Sequence, residues 1–132
     1  MILEPYLFFS GECEEALNFY KSIFGGEILF LQRYEGSPME GAVEADFKTK
    51  VMHATYKAPT FTIMAADSMH HAGPGARVAL SLGSSDVAES QRIFAGLTEG
   101  GTITMALEKT FWAKAFGSLT DRYGVDWMVN CN

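Results

Sequence analysis

Ser22-Ile23-Phe24-Gly25-Gly26-Glu27-Ile28-Leu29-Phe30 ends a helix and starts a strand, and the same phrase returns 75 residues later as Leu97-Thr98-Glu99-Gly100-Gly101-Thr102-Ile103-Thr104-Met105. Glycine pairs stop helices because they adopt backbone angles other residues resist. Upstream of the first pair, Cys13 to Phe24 has apolar residues at 16, 17, 19, 20, 23 and 24. That spacing predicts an amphipathic helix, with Glu12, Glu14 and Glu15 near its positive N-terminus. Before it, Glu4 to Phe9 reads as a short buried strand. After it, Glu27–Tyr34, Val51–Lys57 and Phe61–Ala66 read as strands, the last two joined by a turn at Ala58-Pro59. Between them, Glu35 to Lys50 is a long polar excursion.

Around the second pair the order repeats. Arg77–Leu82 predicts a strand. Asp86, with Glu89 three residues on, predicts a capping box opening a helix through Val87, Ser90, Ile93, Phe94 and Leu97. Thr102–Leu107, Ala113–Thr120 and Asp126–Asn130 predict three more strands, the last two meeting at a type I turn over Asp121-Arg122-Tyr123-Gly124. The sequence therefore reads as βαβββ twice: an α+β fold with a first module of about 1–67, a linker over 68–76 rich in Gly, Pro and polar residues, and a second module of about 77–132. At 132 residues this is one domain's length, and half of it would be a small folding unit alone.

Composition removes several classes of function. With 48% hydrophobic and 20% charged residues the chain is too apolar for a disordered protein. The net charge of -6, with ten scattered basic residues, argues against non-specific nucleic-acid binding and against anionic membranes. No leader pattern is visible at Met1–Ser10, and no run approaches the roughly 18 apolar residues of a membrane span. Cys13 and Cys131, the two cysteines, fit no zinc spacing and imply reduced thiols in a cytoplasmic protein.

Four blocks in order carry a resemblance: Pro5-Tyr6-Leu7; Glu14-Glu15-Ala16-Leu17-Asn18-Phe19-Tyr20 with Phe24-Gly25-Gly26; Val51-Met52-His53-Ala54; and Leu119-Thr120-Asp121-Arg122-Tyr123-Gly124-Val125-Asp126-Trp127. With the duplicated βαβββ order, they resemble the vicinal oxygen chelate superfamily of glyoxalase I, bleomycin-resistance proteins and extradiol dioxygenases. The match is to its PhnB-like, 3-demethylubiquinone 3-methyltransferase-like branch. The resemblance implies two modules forming a curved mixed sheet around a small-molecule cavity, with helices on the convex face, and a homodimer.

It also implies where a metal would be held, by His and Glu on the first, fourth, fifth and last strands. Carried over, those positions fall on Pro5, on Asp67, on Ala76-Arg77-Val78 and on Met128, so three of the four lack a ligand. No cofactor is expected, and a divalent metal only at a non-standard site drawn from His53, Asp67, His70, His71 and Glu44. In Val51–Lys57, His53 and Thr55 alternate with Met52, Ala54 and Tyr56. If the apolar set meets the helix, His53 and Thr55 face the cavity. His53 is either a functional group there or a packed histidine with one hydrogen bond. His70-His71 are either solvated linker residues or a ligand or gating pair.

The pocket is expected to be lined by Leu7, Phe9, His53, Thr55, Trp112, Lys114 and Met128, with Lys114 or Arg33 supplying charge. Phe8, Phe19, Tyr20, Phe24 and Phe94 read as core, as does Trp127. Cys13 lies near a helix start, but the glutamates around it oppose a thiolate. No glycine-rich cofactor turn supports methyl transfer, and no G-x-S-x-G is present. The sequence thus predicts a protein binding a small, largely apolar molecule without the superfamily's metal site. The alternative is a lyase, isomerase or dioxygenase using His53 with a non-standard metal or as general base. A structural dimerisation module would follow if side chains filled the cavity.

Overall fold

Gly25 and Gly100 hold left-handed φ angles of 80° and 75° at the ends of the two helices. The second glycine of each pair is needed for closeness: a Cβ on Gly26 would collide with the carbonyl of Lys57, and one on Gly101 with that of Thr120. The helix-to-strand joint is thereby pressed against the neighbouring antiparallel strand, where Glu27 pairs with Lys57 and Thr102 with Thr120.

The computed structural model describes residues 1–69 and 78–132. The chain separates into two compact units, Met1–His71 and Ala72–Asn132. The first contains β1 (Tyr6–Phe9), α1 (Cys13–Phe24), β2 (Glu27–Arg33), β3 (Val51–Lys57) and β4 (Thr62–Asp67). Its sheet order is β1-β4-β3-β2, parallel only between β1 and β4. The 35–50 excursion forms two 3-10 turns, Glu40–Ala42 and Ala45–Phe47. The second unit contains β5 (Leu80–Ser84), α2 (Val87–Thr98), β6 (Thr102–Glu108), β7 (Ala115–Thr120) and β8 (Asp126–Cys131), in the order β5-β8-β7-β6. Most of the 68–76 linker, with His70 and His71, lies outside the described residues.

The α+β, twice-βαβββ reading agrees with these elements. The curved sheet enclosing a cavity does not. The strands form two open four-stranded sheets, neither closed nor strongly curled. Each sheet ends at edge strands, β1 and β2 or β5 and β6. Four hydrogen-bonded strands twist, but closure into a barrel takes about twice that number with a matching stagger.

Three smaller expectations are also corrected. The strand over Arg77–Leu82 is found at Leu80–Ser84, because its parallel pairing with β8, from Leu80↔Trp127 to Ser84↔Cys131, sets its span. The capping box at α2 is half built. The Asp86 carboxylate accepts from the N–H groups of Ala88 (2.9 Å) and Glu89 (3.3 Å), whereas the Glu89 carboxylate is taken by Arg92 at 2.7 Å. The Asp86 N–H donates instead to Ser84 Oγ. Phe8, expected in the core, is 51% exposed because it points to the sheet face opposite α1.

The core of the first unit is Cys13, Ala16, Leu17 and Tyr20 of α1 against Ala54, Tyr56, Ile63 and Ala65. Tyr56 donates from its hydroxyl to Gly25 O at 2.7 Å, tying β3 to the end of α1. In the second unit Phe94 and Leu97 are buried with Leu119, Trp127, Val129 and Cys131. Trp127 is core, as expected, and its indole N–H donates to Asp121 Oδ2 at 2.9 Å.

Candidate functional site

Alternation divides each strand of the first sheet between two faces. Ala54 and Tyr56 of β3 meet α1, so His53 and Thr55 stand on the opposite face. Strand pairing carries that assignment across the sheet. Met64 pairs with Thr55 and with Tyr6, Phe30 with Thr55, and Gln32 with His53. The face therefore presents Tyr6, Phe8, Phe30, Gln32, His53, Thr55 and Met64.

His53 lies at its centre. Its Nδ1 is 2.8 Å from the Tyr6 hydroxyl and its Nε2 is 3.4 Å from Thr55 Oγ1. The Tyr6 ring stacks on Phe8 (centroids 5.0 Å apart, 30° between planes) and lies 5.5 Å from the imidazole, with Phe30 at 5.8 Å from it. Burial, with the nearby Cys13 and Tyr34 adding, raises the Tyr6 hydroxyl above its ordinary value. The arrangement is a half-exposed aromatic surface threaded by a Tyr–His–Thr hydrogen-bond chain.

Of the expected pocket residues, the structure brings His53 and Thr55 together. Leu7 and Phe9 belong to the other face: Leu7 pairs with Ala65, in the row of Ala54, and Phe9 is buried. Tyr6 and Phe8 take the places those two were expected to hold. In the second unit Met128 shares a row with Ser81 and Ser118. Trp112 is 53% exposed, its ring 5.6 Å from that of Phe116 and edge-on to Phe111. Lys114 donates from Nζ to Ser85 O at 3.3 Å. Arg33 is not a free charge: it makes a two-pronged pair with Glu14 (3.0 and 3.1 Å) and also donates to Thr49 O.

Asp67 has a different task from metal binding. Buried at the end of β4, it accepts at Oδ1 from the N–H groups of Gly11 (2.8 Å) and Cys13 (2.9 Å), and at Oδ2 from Val51 N–H (2.9 Å). It is the cap of α1, supplied from a distant strand, since Glu12 makes no side-chain cap bond. Burial, then the charges of Asp67 and Glu14, push the Cys13 thiol up to about 12. A nucleophilic thiolate at Cys13 is thus disfavoured by its surroundings, and Cys13 and Cys131 are both free and buried.

The superfamily's metal tetrad does not fit this chain. Pro5 has no donor atom, Met128 offers only a thioether, Val78 none, and Asp67 has both oxygens committed to backbone N–H groups. Among the described residues no three His, Cys, Asp or Glu side chains gather in one place. Glu44 is exposed, ahead of the second 3-10 turn, and His70 and His71 fall outside the described residues.

The repeated βαβββ order, with a helix packed on each four-stranded sheet, agrees with the vicinal oxygen chelate superfamily. The comparisons agree. The family described as 3-demethylubiquinone-9 3-methyltransferase matches residues 2–130, and the chain belongs to that family, the PhnB-like branch of the superfamily. Protein YjdN of Escherichia coli (strain K12) is 34% identical, over 98% of this chain and 95% of its own. Among solved structures, protein PA1353 from Pseudomonas aeruginosa is 39% identical with a TM-score of 0.89, covering 100% of this chain and 98% of that one. A PhnB protein from Bacillus cereus is 30% identical with a TM-score of 0.82 over 100% of both chains. Among the described residues no helix is long and apolar enough to cross a membrane.

Proposed function

We propose that this protein binds a small, largely apolar molecule on the face of its first sheet opposite α1, without the superfamily's metal tetrad. The observation that supports this reading best is the Tyr6–His53–Thr55 chain set among the half-exposed rings of Tyr6, Phe8 and Phe30. Half-exposed aromatic rings beside hydroxyl and imidazole groups supply a ligand with apolar area and hydrogen-bond partners. We further read the 132-residue chain as one domain of two modules, cytoplasmic and homodimeric. Light scattering tests the dimer, and a monomer at micromolar concentration counts against it.

The family's name speaks of methyl transfer, but the residues here do not build a methyl-donor site of the Rossmann kind. Such a site needs adjacent parallel strands joined through a helix with a glycine-rich turn. Here α1 joins β1 to β2, which lie at opposite edges of the sheet, and Asp67 occupies the backbone N–H groups at the α1 start. The enzymatic alternative has His53 as general base, with its ring held between the Tyr6 and Thr55 hydroxyls. The test is a fragment screen and metal analysis on untagged protein beside its His53→Ala variant. Hits that lose affinity in the variant support the reading. Stoichiometric zinc, nickel or iron that disappears with His53 would overturn it.

A further inference from the structure

We infer that the ligand of this face is an uncharged planar ring carrying an oxygen acceptor, such as an aryl ketone; the inference rests on the binding reading above. Three observations converge on it.

The first is charge. Counted by strand parity among the described residues, the face carries one lysine or arginine, Lys57, whose cross-strand neighbour on β2 is Glu27. At the opposite rim, Glu4 and Met64 line a shared hollow with Met1, Ile2 and Leu3. A carboxylate or phosphonate placed among Tyr6, Phe8 and Phe30 would lose its water and meet a lysine that already has a carboxylate as its cross-strand neighbour.

The second is shape. Tyr6 and Phe8 lie face to face at 5.0 Å rather than splayed as walls around a cation. A flat ring extends that stack, and Phe30 on the far side of the imidazole bounds it.

The third is the hydrogen-bond chain. With a neutral imidazole it can run in either of two directions. If Tyr6 donates to Nδ1, then Nε2–H donates to Thr55 and the Thr55 hydroxyl proton is left over. If Thr55 donates to Nε2, then Nδ1–H donates to Tyr6 and the Tyr6 hydroxyl proton is left over. Both directions end in a hydroxyl donor with no acceptor within the chain, so the complementary ligand atom is an acceptor.

The experiment is ligand-observed NMR or calorimetry on the full chain with 1-indanone, indane, benzoate and phenyltrimethylammonium. Indanone should bind tightest, about tenfold above benzoate and several-fold above indane. Tyr6→Phe or Thr55→Val, whichever removes the free hydroxyl, should abolish the preference for indanone over indane. Benzoate or phenyltrimethylammonium binding as tightly as indanone would overturn the inference. So would an indanone preference that survives both substitutions. In each of those cases the site reading stands if Phe8→Ala or Phe30→Ala weakens the probes. Failure of all four probes at millimolar concentration, or indifference to both phenylalanine substitutions, overturns the site reading itself.

Discussion

In the first unit the start of α1 is completed from the far end of the sheet, where Asp67 at the end of β4 takes the N–H groups of Gly11 and Cys13, more than 50 residues away in sequence. In the second, Asp86 completes α2 from the neighbouring residue, accepting from Ala88 and Glu89. The register makes the contrast close. Phe9 pairs with Asp67 and Ser84 with Cys131, so a buried thiol stands in the second unit where the first has its carboxylate. The same βαβββ phrase, with the same glycine-pressed joint, therefore accepts a non-local cap or a local one. The comparison teaches that what must be preserved is the satisfaction of the first N–H groups, not the residue that does it.

The strongest way to break this comparison is Asp67→Ala. It orphans three N–H groups around a buried position and should cost about 3–5 kcal/mol in urea unfolding. A loss no larger than that of Asp86→Ala would show the distant cap to be dispensable. The next test is alkaline. Burial with Asp67 and Glu14 pushes Cys13 up to about 12, and burial pushes the Tyr56 hydroxyl to about 12. Unfolded, such groups ionise near their ordinary values of about 8.5 and about 10. The stability that these neutral groups contribute is complete below about pH 8.5 and is lost as pH rises towards 12. Unfolding followed between pH 8 and 12 should show that decline, shallower in Cys13→Ala; parallel curves would remove Cys13 from the account. Asp86→Ala should then cost about 1 kcal/mol, the usual worth of a local cap. Smallest of all, Glu89→Ala breaks only the exposed pair with Arg92 and should leave the unfolding midpoint unchanged.

What sequence made legible follows the same division between local and distant. The span of α1, Cys13–Phe24, could be read in full because apolar spacing and the glycine pair are local signals. So could the direction of His53 and Thr55, which needs only the phase of β3. The phase of β1 relative to β3 could not. It depends on the parallel pairing of Tyr6 with Met64 and the antiparallel pairing of Met64 with Thr55, and no local pattern encodes either. Leu7 and Phe9 were thus expected beside His53, where Tyr6 and Phe8 stand. In Tyr6-Leu7-Phe8-Phe9 every residue is apolar or aromatic, so neither face was marked. Asp67 likewise reads as a free carboxylate until the fold brings Gly11, Cys13 and Val51 to it.

The distant cap also sets an order of assembly. A helix whose first turn is capped by its own neighbour can begin as soon as a dozen residues are present. One capped from β4 must wait until a loop of more than 50 residues has closed and its entropy has been met. Folding of the second unit can nucleate at α2, while α1 is finished only when β4 docks. In kinetic terms Asp86→Ala should slow folding, whereas Asp67→Ala should chiefly hasten unfolding.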